Sequence, residues 1–200
     1  NYFFNQNNQE NLSFVFKICE KIKISKKVII KTINNFQGLN YRQQIIYNSK
    51  KLLIINDSKS TSFSSTINLI NSYNNIFWIL GGLPKKNDKF NFKKNKHSKI
   101  QAYIFGKSTN FFIKKLKNKI EFQVFQSLKE ALKKTLIDIK NSNISKKKTI
   151  LFSPSSASFD EYKNFEQRGA YFNFLVKSMK YKLWYNHIFI KKFILIGGEI

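Results

Sequence analysis

Short apolar runs alternate with stretches of helical spacing along most of this chain. Ile45 to Tyr47 and Leu52 to Ile55 flank an Asn48-Ser49 turn and predict a hairpin. Further strands are predicted at Ile76 to Leu80, Ile100 to Phe105, Phe122 to Phe125 and Lys148 to Phe152. Between and after them, apolar residues three and four apart predict helices near Ser64 to Ser72, Thr109 to Lys117, Ser127 to Lys140 and Tyr162 to Lys180. Such alternation marks an α/β fold with a mostly parallel sheet and flanking helices. Right-handed crossovers then bring the loops after the strands to one sheet edge, where open α/β sheets bind ligands.

Upstream, Leu12, Val15, Phe16, Ile18 and Cys19, then Val28, Ile29, Ile30 and Ile33, form two amphipathic patterns, so Asn1 to Gln37 reads as helical. Taken alone, Asn8 or Asn11 would be an N-cap there. Phe36-Gln37-Gly38 breaks the pattern and predicts a linker. Residues 1–37 and 38–178 therefore form separate units, and residues 179–200, aromatic and apolar, receive no assignment. The chain begins at Asn1 rather than Met, which predicts a piece of something longer.

The formal net charge is +25, a value that ordinarily points to nucleic acid. Only Arg42 and Arg168 among the 36 basic residues are arginine, whereas phosphate and base readers favour the guanidinium fork. Abundant Lys, Asn, Ile and Phe fit an A/T-rich coding bias, so the charge reads as solvated lysine and no nucleic acid is expected. Cys19 stands alone, which excludes an internal disulfide and fits a reducing cytoplasm. His97 and His187 lie apart from Cys or carboxylate clusters, so no metal site is read from them. No apolar run reaches the ~18 residues of a membrane span, and no Gly-x-Gly-x-x-Gly implies a dinucleotide.

Three of the edge loops carry motifs. Asn56-Asp57-Ser58-Lys59-Ser60-Thr61 precedes a helix, and its plain reading makes Asp57 or Ser58 a cap. Gly81-Gly82-Leu83-Pro84-Lys85-Lys86 turns sharply and puts a point charge at the mouth. Ser153-Pro154-Ser155-Ser156-Ala157-Ser158-Phe159-Asp160, continuing to Lys163-Asn164-Phe165-Glu166-Gln167-Arg168-Gly169, leaves backbone N–H groups free ahead of a helix. That arrangement suits an anion; by itself it is more often an ordinary strand-to-helix loop.

These motifs together resemble the Mur ligase family, in its D-glutamate-adding branch, over about Asn5 to Lys177. The resemblance implies a Rossmann-like C-terminal domain at 38–178 preceded by a helical remnant of the central ATP-binding domain at 1–37. The Asn8-x-x-Asn11 segment matches a family helix whose second Asn contacts the nucleotide, although Asn7 replaces a His. Tyr41-Arg42-Gln43-Gln44 keeps the family's Arg and loses its His and acidic residue. By resemblance Asn11, Arg42, Asp57 and Lys59 would face ATP. Thr61, Lys85, Ser158 and Phe165 would hold D-glutamate, and Lys85 rather than Lys86 matches by its spacing from the glycine pair.

The implied partners are ATP, D-glutamate and UDP-N-acetylmuramoyl-L-alanine, acting with Mg²⁺ in a cytoplasmic, monomeric enzyme of peptidoglycan synthesis. ATP would activate a carboxylate as an acyl phosphate, and the D-glutamate amine would attack it to form an amide. The chain contains no Gly-x-x-x-x-Gly-Lys-Ser/Thr phosphate loop, and the usual Mg²⁺ ligands of the central domain are likewise missing. The expectation is that it does not catalyse alone. A folylpolyglutamate synthase-like ligase is the nearer alternative and a basic nucleic-acid module the more distant one; the Asp-Asn-Pro-Arg motif of the diaminopimelate- and lysine-adding members is absent.

Overall fold

In a computed structural model, residues 6–92 and 99–179 are described. His97, His187 and the stretch from Tyr181 to Ile200 lie outside the described residues. Two helices, α1 (Gln6–Lys21) and α2 (Lys26–Asn35), lead into a sheet domain. That domain contains β1 (Gln44–Asn48), β2 (Leu52–Asn56), α3 (Phe63–Asn71), β3 (Ile76–Gly81), β4 (Ile100–Phe105), α4 (Thr109–Leu116), β5 (Glu121–Phe125), α5 (Leu128–Asn141) and β6 (Lys148–Phe152). A last helix, α6, covers residues 165–179.

The six strands form one sheet in the order β1-β2-β6-β3-β4-β5. Only β1 runs antiparallel, as the partner of β2 in the predicted hairpin. The other neighbours are parallel, with Ile54 opposite Ile150 and Trp78 opposite both Ala102 and Leu151. This is the Rossmann-like α/β arrangement that the alternating pattern predicts.

Side-chain alternation divides the core into two layers. Ile55, Trp78, Leu80, Ile104 and Leu151 face Phe63, Leu69 and Ile70 of α3 and Phe112 and Leu116 of α4. Ile54, Ile79, Tyr103, Ile150 and Phe152 face Leu128, Ala131 and Leu132 of α5 and Phe172, Leu175 and Val176 of α6. Each fully buried Leu, Ile or Phe contributes about 1.5 to 3 kcal/mol of transfer free energy, so the covering helices are held mainly by these faces. Neither core includes a residue of α1 or α2. On those two helices Phe14, Ile18 and Val28 are exposed.

Three local expectations change. α1 already runs from Gln6, so Asn8 and Asn11 sit inside the helix rather than at its cap. α3 begins later than the Asp57 motif suggests: its N-cap is Ser62, whose hydroxyl accepts from Ser65 N while the Ser65 side chain accepts from the Ser62 N–H. Residues 162–164 form a turn before α6, which Asn164 caps by accepting from Gln167 N at 2.8 Å.

Candidate functional site

The carboxyl ends of β2, β3 and β6 bring the three motif loops side by side. Asp57 leaves β2 and at once joins β6, its N–H donating to Phe152 O at 2.7 Å. Its side chain is buried. One carboxylate oxygen accepts from Gln43 N at 3.1 Å and the other from the Ser153 hydroxyl at 3.0 Å. Burial pushes the Asp57 carboxyl up to about 7, against the lowering effect of those two hydrogen bonds and of the Arg42 charge. Asp57 thus ties the linker to the Ser-rich loop, and both of its oxygens already have donors.

A chain of hydroxyls extends this tie under the loops. Ser153 Oγ meets Thr66 Oγ1 at 2.8 Å, and Thr66 Oγ1 meets Ser155 Oγ at 2.7 Å and Ser60 Oγ at 2.6 Å. Buried hydroxyls need such partners, since an unpaired one costs ~1 to 3 kcal/mol. The serines and Thr66 therefore serve mostly to fix loop shape.

Of the residues expected at the nucleotide, Arg42 is exposed, between Tyr41 and Gln43, which both take positive φ (60° and 51°). Lys59 is half-buried, with Nζ 4.1 Å from the centroid of the Phe165 ring. This cation–π contact brings together one residue expected at ATP and one expected at D-glutamate. Asn11 is exposed on α1, and neither core holds α1 against the sheet.

Among the residues expected at D-glutamate, Thr61 is half-buried directly after the Lys59 loop and Phe165 opens α6. Phe165 O accepts from the Ser58 hydroxyl at 2.8 Å. Ser158 is buried. Lys85 and Lys86 are both exposed, so exposure does not separate the two. Their loop is nevertheless anchored: Leu83 and Ala157 exchange backbone hydrogen bonds at 2.9 Å, and Asp88 Oδ2 accepts from Phe63 N at 2.7 Å. Gly82 at φ 125° is essential to that approach, because a Cβ there would stand 2.6 Å from Ala157 O.

Behind these loops lies Arg168, which sequence reasoning noted for its rarity without giving it a role. It is fully buried and its guanidinium reaches into both the Ser58 loop and the Ser156-Ala157 turn. Burial lowers its pKa to about 10. Beside it, Asp160 Oδ2 is buried without a hydrogen-bond partner among the described residues, and burial raises that carboxyl. No group of three His, Cys, Asp or Glu among the described residues is placed to hold a metal ion. The Mg²⁺ that the family resemblance implies has no such cluster among these residues. No helix of the described residues is long and apolar enough to cross a membrane.

Comparison with known proteins decides the family. The chain is 33% identical over 174 residues, 87% of its length, to the UDP-N-acetylmuramoylalanine–D-glutamate ligase of Wolbachia pipientis wMel. It is 34% identical over 165 residues to the same ligase of the Wolbachia of Brugia malayi, and 33% over 170 residues to that of Rickettsia felis. The chain is a Mur ligase segment. It spans about a third of the length of these relatives, between 33% and 38%. No family model matches the chain. Within the Mur ligase segment, the three loops at the carboxyl edge are those whose motifs carried the resemblance.

Proposed function

We propose that this chain supplies the amino-acid-binding and ATP-closing part of a cytoplasmic, ADP-forming ligase that adds D-glutamate to UDP-N-acetylmuramoyl-L-alanine in peptidoglycan synthesis. The observation that carries the reading is the identity of about one third to ligases of that name over more than four fifths of the chain. The convergence of the Lys59-Thr61, Gly82-Lys85 and Ser158-Phe165 loops on one sheet edge supports it.

On this reading the chain's residues do not make or break bonds. The substrate carboxylate takes a phosphoryl group from ATP, giving an acyl phosphate and ADP. The D-glutamate amine attacks the acyl carbon, phosphate leaves, and the nitrogen loses a proton to yield the amide. Thr61, Lys85, Ser158 and Phe165 hold the two D-glutamate carboxylates so that the free amine faces the acyl carbon. Arg42 and Lys59 add positive charge toward the ATP phosphates, and Asn11 and Asp57 complete the nucleotide side. Orientation of this kind supplies roughly 7 to 11 kcal/mol of barrier reduction.

The test is a titration of the isotopically labelled chain with D- and L-glutamate, read by amide chemical shifts. D-glutamate is expected to move Thr61, Ser158 and Phe165, and L-glutamate to move them less at equal concentration. No response to D-glutamate at tens of millimolar, or equal responses to both enantiomers, would refute the assignment.

A further inference from the structure

Arg168 is one of two arginines among 36 basic residues, yet it is fully buried. Its Nε donates to Ser58 Oγ at 3.1 Å and its Nη2 to Ser58 O at 2.8 Å and Ser156 O at 2.9 Å. Its Nη1 donates to Ala157 O at 3.1 Å. All four acceptors are neutral. A buried guanidinium with no carboxylate in direct contact is an expensive way to fill space, because desolvating the charge costs several kcal/mol. An apolar side chain would pack there at lower cost, so the fork is needed for what it grips.

In a trans peptide the carbonyl and the following N–H point in opposite directions. Gripping three carbonyls therefore aims three N–H groups away from Arg168. Two of them are used internally: Lys59 N donates to Tyr41 O at 3.0 Å and Ala157 N to Leu83 O at 2.9 Å. The third belongs to Ser158. Its peptide is pinned twice, since Ala157 O also accepts from Leu83 N at 2.9 Å. Neither the Ser158 N–H nor its hydroxyl has a hydrogen-bond partner among the described residues, although Ser158 is only 2% exposed. An N–H left without a partner on a buried residue requires an explanation, and a ligand carboxylate seated there supplies one. Charged hydrogen bonds to a carbonyl also polarise its peptide and strengthen the opposite N–H as a donor.

We propose that Arg168 is the positioning residue of this site: by gripping the Ala157 carbonyl and the Ser58 loop, it presents the Ser158 N–H and hydroxyl to a carboxylate of the bound amino acid. The carboxylate at Ser158 and its identity as D-glutamate rest on the function proposed above; the role of Arg168 in aiming the Ser158 N–H rests on the hydrogen bonds.

The experiment follows the Ser158 amide of the labelled chain while D-glutamate, and separately acetate as a bare carboxylate, is added. In the wild-type chain the Ser158 amide proton is expected to move downfield with both. In Arg168→Lys, which keeps a charge and loses the planar fork, D-glutamate affinity is expected to fall tenfold or more. The Ser158 shift should disappear while the Thr61 amide still responds, a split that general loosening of the fold would not produce. Arg168→Lys binding within twofold of wild type with an intact Ser158 shift overturns the proposal. A wild-type response to acetate but not to D-glutamate removes the D-glutamate reading and leaves the role of Arg168 standing. No Ser158 response to either probe overturns it. Should Arg168→Lys fail to fold, Ser58→Ala removes one acceptor and keeps the guanidinium. A severalfold loss of carboxylate affinity is then expected, and unchanged affinity counts against the proposal.

Discussion

The ring of Tyr41 fills the space in which a side chain at Gly169 would stand. A Cβ at that glycine would lie 2.5 Å from Tyr41 Cγ and 3.0 Å from Tyr41 Cβ. Real Cβ atoms do not approach so closely, so Gly169→Ala must push the linker off α6. The expected cost is about 1 to 3 kcal/mol, as for other overpacked sites. Amide exchange should speed up at Gln43 and Lys59, whose N–H groups hold this segment. A melting temperature and exchange pattern equal to wild type would show that the contact carries no strain.

Asp57 makes stability depend on pH in an unusual direction. Its folded pKa of about 7 stands above the ordinary 3.8 because burial disfavours the charged form. Below about pH 4 both folded and unfolded chains hold the proton. Between there and about pH 7 only the unfolded chain ionises, so stability falls as pH rises, by roughly 1.4 kcal/mol per unit of pKa difference at most. Asp57→Asn, which cannot ionise, should flatten this component. Melting temperatures of both proteins from pH 4 to 8 test it, and parallel curves would contradict the assignment.

Trp78 Nε1 donates to Ser153 O at 2.8 Å in the buried interior. Trp78→Phe leaves that carbonyl short of its strongest donor and opens a small void, and ~2 to 4 kcal/mol of stability should be lost. Denaturant unfolding measures it. A loss below about 1 kcal/mol would mean that the Ser-rich loop is held by its other bonds alone.

Lys85 and Lys86 are both exposed, so burial does not separate them and ligand binding is the comparison that can. Lys85→Ala should weaken D-glutamate binding by about tenfold or more, the worth of a charge-assisted hydrogen bond. Lys86→Ala should change it little, as expected of a solvated lysine. Calorimetry on the two variants separates them, and equal effects would mean that the amino-acid loop is misassigned.

The fold was legible because its signals are local. Short apolar runs such as Ile76–Leu80 and Ile150–Phe152, bounded by polar or turn residues, read as buried strands, and the three-four spacing of Leu128, Ala131, Leu132 and Thr135 repeats at the contact face of α5. The motif loops were legible as loops. What escaped was the direction in which their side chains turn. Asp57 reads as a helix cap, yet the cap is Ser62 and the Asp57 carboxylate is a buried tie, because its donors, Gln43 and Ser153, are brought to it by the sheet and not by sequence proximity. Arg168 met Ser58 across 110 residues, a distance at which no spacing rule operates. Ser155, at φ 57°, gave no sign of its left-handed turn, since serine carries no preference for it.

The hairpin strand β1 forms one of the two open edges of the sheet, opposite β5. An open sheet ends in unpaired backbone groups that invite a second sheet to zip on, the usual route to aggregation. Here the outer strand is five residues long, and its register breaks between Ile45 and Tyr47. Such an irregularity twists an edge away from flat pairing. Lys50 and Lys51 follow at its turn, in a chain whose formal charge of +25 already drives copies apart. A protein containing 21 phenylalanines is thereby shielded along this one edge of its sheet from stacking strand to strand.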